Sequence, residues 1–274
     1  MNIINPPRSM KIEREVVGKS HPHDSAIRHT RGEAVYIDDM PDLPGTLHIA
    51  PVLSPVAHGA LQGIDMKQAA KCQGVVRILT AADIPGHNDI APIFAHEPVF
   101  ATDKVEHVGQ LIGAVVATSL AEALQAAEKV QLKIKELKPR FDVEAAHKKK
   151  SVTLPNQHLV SGDASAALKK AKHIFSGRLE MGGQDHFYLE GQIAYALPGE
   201  NGEMQIWSST QHPTEIQMHV SEVLGRRAHD LDVQVRRMGG AFGGKESQAT
   251  IIAAVAALAA QITGKPCRFR LRRG

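Results

Sequence analysis

A glycine-rich loop, GGAFGGK at residues 239–245, carries the strongest chemical signal in the sequence. It follows an alternating segment at residues 231–237 that predicts a strand, and it precedes an alanine-rich segment at residues 249–262 that predicts a helix. Backbone N–H groups at such a strand–loop–helix junction can bind an anion. Four glycines in six residues exceed the needs of a tight turn. We therefore expect the backbone of this loop to approach a bulky ligand closely.

Residues 239–245 also match the G-x-x-x-x-G-K part of a phosphate-binding loop, but Glu246 stands where the motif has Ser or Thr. A carboxylate there would repel phosphate. At about 4 Å and an effective dielectric constant of about 20, two unit charges interact by about 4 kcal/mol. Nucleotide hydrolysis is therefore a minor alternative. Two other interpretations remain, namely a turn without a ligand and a loop that contacts a bulky ligand with Glu246 facing the same space.

A second polar stretch, GGQDHFYLE at residues 182–190, places two glycines before a Gln-Asp-His triplet and an aromatic segment. By itself Gln184 is typical of a turn or a surface. His186 has no second His or Cys at ligand spacing, so we expect a core or hydrogen-bonding histidine rather than a metal ligand. We expect Phe187 and Tyr188 to lie in the core.

The elements that must position these residues fall into two regions, and together they predict an α+β protein. The first is a compact α/β unit and the second combines strands with two longer helices. A stretch rich in Lys and Pro separates them. The predicted boundaries are an N-terminal arm at 1–27, the α/β unit at 28–137, a linker at 138–162, and the second region at 163–274.

Local signals define the individual elements. Ser119 and Asp163 are placed to cap helices that follow them, and Gly225 is placed to end a helix that begins near His212. A short helix is predicted at residues 64–72. Alternating or apolar segments predict strands at 33–39, 46–54, 74–79, 110–118 and 131–137, a strand that begins within GKPCRFRLRRG at 264–274, and a series of strands over 173–211.

The composition excludes several functional classes. Hydrophobic residues make up 43% of the 274 residues, charged residues make up 22%, and the net charge is +3, so we expect no nucleic-acid partner. Aromatic residues, at 4%, are too few for a base-stacking platform. The two cysteines, Cys72 and Cys267, form no C-x-x-C pair and fit a reducing compartment. With no signal-peptide core and no bilayer-length apolar run in the sequence, we expect a cytoplasmic protein without a membrane partner.

Taken together, the stretches at 182–190 and 236–247 (RRMGGAFGGKES) resemble the molybdenum-binding subunits of the xanthine dehydrogenase and aldehyde oxidase family. The segments LEGQIAYALP and SSTQHP, together with residues 29–61 and 105–130, fit the same family. The resemblance implies a small α/β hammerhead domain over 28–137. It also implies that 163–274 is the first, truncated part of a mixed α+β molybdopterin-binding domain.

The resemblance also implies roles for four residues. The cofactor would be molybdenum held by the dithiolene of a molybdopterin. Gln184 would donate a hydrogen bond to the oxo ligand of the metal. Phe242 and Gly243 would contact the cofactor through their main chain, and Glu246 would face the substrate and hydrogen-bond a purine ring. Ala241 departs from the third glycine common in the family, and a methyl group there requires a negative φ.

The implied reaction is the hydroxylation of xanthine or hypoxanthine with water as the oxygen source. Electrons would leave through 2Fe-2S clusters and FAD, which we expect on a partner subunit. The general-base Glu of the family is expected beyond residue 274, so no catalytic residue is assigned within the chain. We expect the chain to be the N-terminal portion of a subunit. In one form of this expectation, the remainder of the molybdenum domain is a separate partner chain. The alternatives are an aldehyde substrate and a non-catalytic fragment or assembly piece.

Overall fold

The computed structural model describes residues 18–273. The chain divides into two compact units between Tyr36 and Ile37. In the first unit, helix α1 spans Ala26–Arg31 and ends at Gly32, whose backbone is left-handed. Most of the N-terminal arm predicted for residues 1–27 lies outside the described residues.

The second unit contains two sheets and five further α-helices. The strands are β1 (Leu47–Leu53), β2 (Gly59–Asp65), β3 (Val75–Leu79), β4 (Lys104–Val105), β5 (Leu111–Ala117), β6 (Gln131–Glu136), β7 (Ile193–Pro198), β8 (Met204–Ser208), β9 (Leu231–Gln234) and β10 (Cys267–Arg270). The helices are α2 (Leu120–Ala127), α3 (Val143–Lys148), α4 (Ala164–Lys170), α5 (Pro213–Leu224) and α6 (Ala249–Thr263).

The larger sheet has seven strands in the order β3-β5-β1-β10-β7-β8-β9, and the smaller sheet has the order β4-β2-β6. Strand β10 lies between β1, with which it is parallel, and β7, with which it is antiparallel. Strands from the predicted region 28–137 and from the predicted region 163–274 therefore belong to one continuous sheet. The boundaries between those regions stay a prediction.

The core lies between this sheet and helix α6. Eleven residues of α6 are buried, and most of them are alanines. Their small side chains let the helix approach β7, β10 and α5 closely. All seven residues of β5 are buried, as the continuous apolar run predicted. The helix that follows the glycine-rich loop therefore packs against both the sheet and α5.

Local capping signals are confirmed. The side chain of Ser119 accepts a hydrogen bond from the backbone N–H of Glu122, and Asp163 accepts one from Ala166. Helix α5 ends at Gly225 in a left-handed conformation. In each case the determining contact lies within four residues along the chain, which is why the sequence alone reveals it.

Three predictions about local structure were wrong. Residues 33–36 have no regular structure and residues 37–39 form a bend and a turn instead of a strand; Asp38 binds the guanidinium of Arg270 (2.8 and 2.9 Å) rather than taking part in a ladder. Residues 173–190 form no strand, whereas the later part of the predicted series contains β7 and β8. The helix predicted at 64–72 is reduced to a 3-10 turn at Ala69–Lys71, since its first two residues belong to β2.

The two cysteines differ in burial, and this difference predicts their reactivity. Burial raises the pKa of Cys267 to about 11, whereas the Cys72 side chain is partly exposed. We expect iodoacetamide at pH 8 to modify Cys72 in the folded protein and to modify Cys267 only after unfolding, because the thiolate is the nucleophile. Mass spectrometry of the alkylated peptides measures this, and equal labelling of both residues would contradict it.

The same raised pKa makes stability depend on pH. Between the ordinary thiol pKa of 9.0 and about 11, the folded state keeps the Cys267 proton while the unfolded state loses it. The contribution is fully present below pH 9 and is lost as the pH rises through the folded value. We expect the free energy of unfolding to fall less steeply across this window in Cys267→Ala than in the wild type.

Candidate functional site

The glycine-rich loop connects β9 to α6 and turns through left-handed backbone. Gly240, Phe242 and Gly243 have φ values of +95°, +56° and +93°. A positive φ is unusual for a phenylalanine, so surrounding contacts must hold it there. Its side chain is 74% exposed. Ala241 is buried and does not share the positive φ of its neighbours, as a methyl group at that position requires.

The second polar stretch packs directly against this loop. The backbone N–H of Glu190 donates to the carbonyl of Gly239 (3.2 Å), and the Gly239 N–H donates to Oε2 of Glu190 (2.9 Å). A Cβ on Gly239 would lie 2.5 Å from the Glu190 Cβ, and one on Gly244 would lie 2.8 Å from the Tyr188 ring. Two of the four glycines are therefore required by contact with the chain itself.

Lys245 faces inward. Its side chain is fully buried, and its Nζ donates to the Glu190 carbonyl (2.7 Å) and to Oγ of Ser209 (2.7 Å). The ammonium group also lies 4.5 Å from the centre of the Tyr188 ring. Burial lowers the pKa of Lys245, and the Glu190 carboxylate partly offsets that effect. A lysine in this position cannot neutralise a phosphate on the outer face of the loop, which argues against the nucleotide interpretation.

Two glutamines, one directly before β7 and one after β8, also hydrogen-bond to the loop. Oε1 of Gln211 accepts hydrogen bonds from the N–H groups of Gly243 (3.1 Å) and Lys245 (3.3 Å). Nε2 of Gln192 donates to the Gly244 carbonyl (2.8 Å) and to the Tyr188 hydroxyl (2.9 Å). Sequence reasoning assigned no role to either glutamine. For Gln211, the available signal was the polar run SSTQ at the end of an apolar segment.

The predicted site residues fall into two groups. Phe242, Gly243 and Glu246 lie on one loop, and all three are exposed. Gln184 is also exposed, but it lies on the neighbouring stretch and makes no hydrogen bond to the loop among residues 18–273. The contact between the stretches is made by His186, Tyr188 and Glu190.

Phe187 was predicted to lie in the core, and this was wrong. It is 66% exposed, and its backbone φ is +48°. The guanidinium of Arg273 stacks over its ring at 4.4 Å and donates a hydrogen bond to the carbonyl of Tyr188 (2.5 Å). The left-handed backbone turns the phenylalanine outward while Tyr188, the next residue, turns toward the loop.

The two faces of the loop differ in exposure. Its inner face is closed by Lys245 and Tyr188, whereas the backbone at Phe242 and Gly243 is open to the outside. Gly243 carries no side chain that would block a ligand. Within residues 18–273, no group of three or more His, Cys, Asp or Glu side chains is arranged to bind a metal ion. None of the helices in the same range has the length and apolarity needed to span a bilayer.

Two family models match consecutive parts of the chain. Residues 31–138 match the a/b hammerhead domain of aldehyde oxidase and xanthine dehydrogenase, and residues 146–274 match the molybdopterin cofactor-binding domain. The chain belongs to the xanthine dehydrogenase and aldehyde oxidase family. The predicted resemblance and the α+β fold class are thereby confirmed, with a hammerhead domain followed by a molybdopterin-binding domain.

The relatives that the chain matches include proteins named as xanthine dehydrogenase and proteins named as aldehyde oxidase. The chain is 40% identical over 268 residues to xanthine dehydrogenase/oxidase of Gallus gallus, covering 97% of the chain and 20% of that protein. It is 40% identical over 262 residues to aldehyde oxidase 3 of Mus musculus, covering 95% of the chain and 19% of that protein. The chain therefore spans about a fifth of the length of the curated relatives it matches.

A solved structure has the same fold. The aldehyde oxidoreductase of Desulfovibrio gigas superposes with a TM-score of 0.79 at 27% identity, over 92% of this chain and 30% of that one. Equal identity to a xanthine and an aldehyde enzyme means that overall similarity does not select a substrate within the family. A choice between a xanthine and an aldehyde substrate must therefore be argued from individual residues on the loop.

Proposed function

We propose that the chain is part of a molybdenum hydroxylase that acts on xanthine or hypoxanthine and uses water as the oxygen source. The observation that supports this best is the open backbone at Phe242 and Gly243, on a loop whose other face is closed by contacts within the chain. When bound, molybdopterin supplies the oxidation chemistry, and the protein positions both cofactor and substrate. Electrons would pass to 2Fe-2S clusters and FAD on a partner subunit.

Within this proposal the four site residues divide the work. The main chain at Phe242 and Gly243 would hold the cofactor, and the amide of Gln184 would donate a hydrogen bond into the ligand shell of the metal. Glu246 lies three residues after Gly243. Its exposed carboxyl group would accept a proton from a purine ring nitrogen or share one with it. Hydroxylation of an electron-poor ring builds negative charge on the ring. A hydrogen bond from the carboxyl group to the ring nitrogen would therefore stabilise the transition state.

The assignment of Glu246 predicts a selective effect on purines. In the assembled enzyme, Glu246→Gln would lose a charge-assisted hydrogen bond of about 1.5–3 kcal/mol. We expect kcat/KM for xanthine to fall by a factor of roughly 10 to 150, since each 1.4 kcal/mol is about tenfold. Steady-state kinetics with xanthine and with an aromatic aldehyde, together with metal analysis, measure this.

The matched control is Glu136→Gln, which removes an exposed carboxylate on β6. We expect this control to leave kinetics and molybdenum content unchanged. A Glu246→Gln enzyme as active on xanthine as the control would remove Glu246 from purine recognition, and a larger loss with the aldehyde would favour an aldehyde substrate. Wild-type protein without molybdenum would overturn the proposed function itself.

Exposed apolar side chains favour a second candidate, an assembly role without catalysis. Between residues 141 and 189, large apolar side chains stand open to solvent, among them Phe141, Val143, Leu159, Phe175 and Leu189. Such a surface is typical of a protein interface. In the enzyme proposal it would be covered by the remainder of the molybdenum domain, as a continuation or as a separate chain. A monodisperse, molybdenum-free monomer in size-exclusion chromatography would favour the second candidate.

A further inference from the structure

We propose that Lys245 and Glu190 form a buried ion pair that sets the conformation of the 239–246 loop. Lys245 would thus be a positioning residue rather than an anion ligand. The inference rests on the proposed function, because the loop is the element assigned to hold molybdopterin. It adds two residues to which neither the family models nor the sequence patterns assign a role. We call the pair and its hydrogen bonds the loop anchor.

The loop anchor ties both ends of the loop to one residue. At the beginning of the loop, Oε2 of Glu190 accepts the N–H of Gly239 (2.9 Å). At the end of the loop, Nζ of Lys245 donates to the Glu190 carbonyl (2.7 Å) and lies 3.6 Å from Oε2. Glu190 therefore connects the first and last residues of the loop. This connection restrains the residues between them to the left-handed turn.

A hydroxyl group completes the anchor. Oγ of Ser209 donates to Oε2 of Glu190 (2.7 Å) and accepts from Nζ of Lys245 (2.7 Å). The backbone N–H of Asp38 approaches the other carboxylate oxygen at 3.4 Å. Because Ser209 directly follows β8, the anchor connects the loop to the sheet. Displacing the loop would therefore require breaking contacts with a rigid element.

Burial makes the anchor an all-or-none arrangement. The Lys245 side chain is fully buried and that of Glu190 is 5% exposed. Moving either residue outward would leave the other charge inside the protein without its partner, which is far more costly than losing a surface ion pair. The pair therefore favours a single loop conformation, the one that keeps the backbone of Phe242 and Gly243 exposed on the ligand-binding face.

If the Lys245–Glu190 pair only stabilised the fold, an apolar double substitution would replace it fully. If the pair positions the loop, the same substitution would restore stability but not the loop conformation. Replacing a buried ion pair by apolar residues of similar volume is often neutral for stability. Lys245→Met with Glu190→Leu should therefore restore the thermal unfolding temperature that either single substitution lowers. It would not restore the acceptor for the Gly239 N–H or the connection between the two ends of the loop.

The experiment uses the assembled enzyme with four variants: Lys245→Met, Glu190→Leu, their combination, and Lys265→Met, an exposed lysine just after α6, as the matched control. Amide hydrogen exchange is followed for a peptide covering residues 239–246 and for one covering β5, alongside molybdenum content and the thermal unfolding temperature. We expect exchange in 239–246 to accelerate on the order of a hundredfold in the single variants, as for a locally opened segment. Exchange in β5 and in the control should not change.

The double variant decides the outcome. We expect it to unfold within a few degrees of the wild type while exchange in 239–246 stays at least about tenfold faster and molybdenum content falls by half or more. Recovery of wild-type loop protection and molybdenum content in the double variant would overturn the proposal, as would single variants that match Lys265→Met. If the wild type contains no molybdenum, the proposed function fails, yet the exchange data still test the loop anchor.

Discussion

Replacing Gly239 with alanine is expected to open the glycine-rich loop and to release the cofactor. The added Cβ would lie 2.5 Å from the Glu190 Cβ and 3.1 Å from the Glu190 backbone nitrogen. Neither atom can move away, because Glu190 is held by Ser209 and Lys245. We expect the free energy of unfolding to fall by about 2–4 kcal/mol, from overpacking and from the weakened bond to the carboxylate.

The functional consequence should be larger than the loss of stability alone. Molybdenum content of the purified enzyme is expected to fall to about a tenth or less of the wild-type value, since each 1.4 kcal/mol of lost binding is about tenfold. Chemical denaturation and metal analysis of the same preparation measure both effects. Gly183→Ala is the matched control, because a Cβ at Gly183 meets no atom within 4 Å. Equal effects of the two substitutions would contradict the packing of residue 190 against the loop.

The second large effect is expected at Gly86, far from the loop along the sequence. A Cβ at this position would lie 1.8 Å from the carbonyl oxygen of Glu222 and 2.8 Å from the nitrogen of Gly225. The backbone here crosses the end of α5, where the Gly86 N–H donates to the Val223 carbonyl (3.1 Å) and the His87 N–H donates to that of Glu222 (3.0 Å). All the atoms that would have to move belong to the backbone, so no side-chain rotation can relieve the contact.

Gly86→Ala is therefore expected to destabilise the protein by about 3 kcal/mol or more, at the upper end of the range for single substitutions. Gly63→Ala in β2 serves as the control, because a Cβ there meets no atom within 4 Å. Urea denaturation monitored by circular dichroism gives both values. If Gly86→Ala were as stable as Gly63→Ala, the packing of this segment against the end of α5 would be wrong.

Short-range features of the fold could be predicted from the sequence. The caps at Ser119 and Asp163 act on backbone groups three residues away, and Gly225 ends α5 by its own backbone freedom. The apolar run of β5 reports burial on both faces. These signals need only the residues that carry them. The two family motifs could likewise be identified because each is continuous in the sequence.

Long-range contacts could not be predicted in the same way. Glu190 and Lys245 lie in separate motifs, and nothing in either stretch indicates that the carboxylate and the ammonium group meet inside the protein. Lysine is rarely buried, so the GGAFGGK pattern by itself does not indicate that Lys245 points into the protein. The stretch 173–190 was predicted to contain strands, but a strand also needs a neighbouring edge, which the local sequence does not reveal. The roles of Gln192 and Gln211 depend on the loop that they support.

The central place of β10 in the large sheet bears on how the protein is synthesised. Leu47 of β1 pairs with Cys267 of β10, so a ribosome must add the 220 residues from 48 to 267 before these two residues can meet. Until then β1 and β7 would both present unpaired backbone edges, which are templates for aggregation. Contacts this distant in sequence also form slowly. Nascent chains that stall before β10 emerges should therefore be targets for chaperones and proteases.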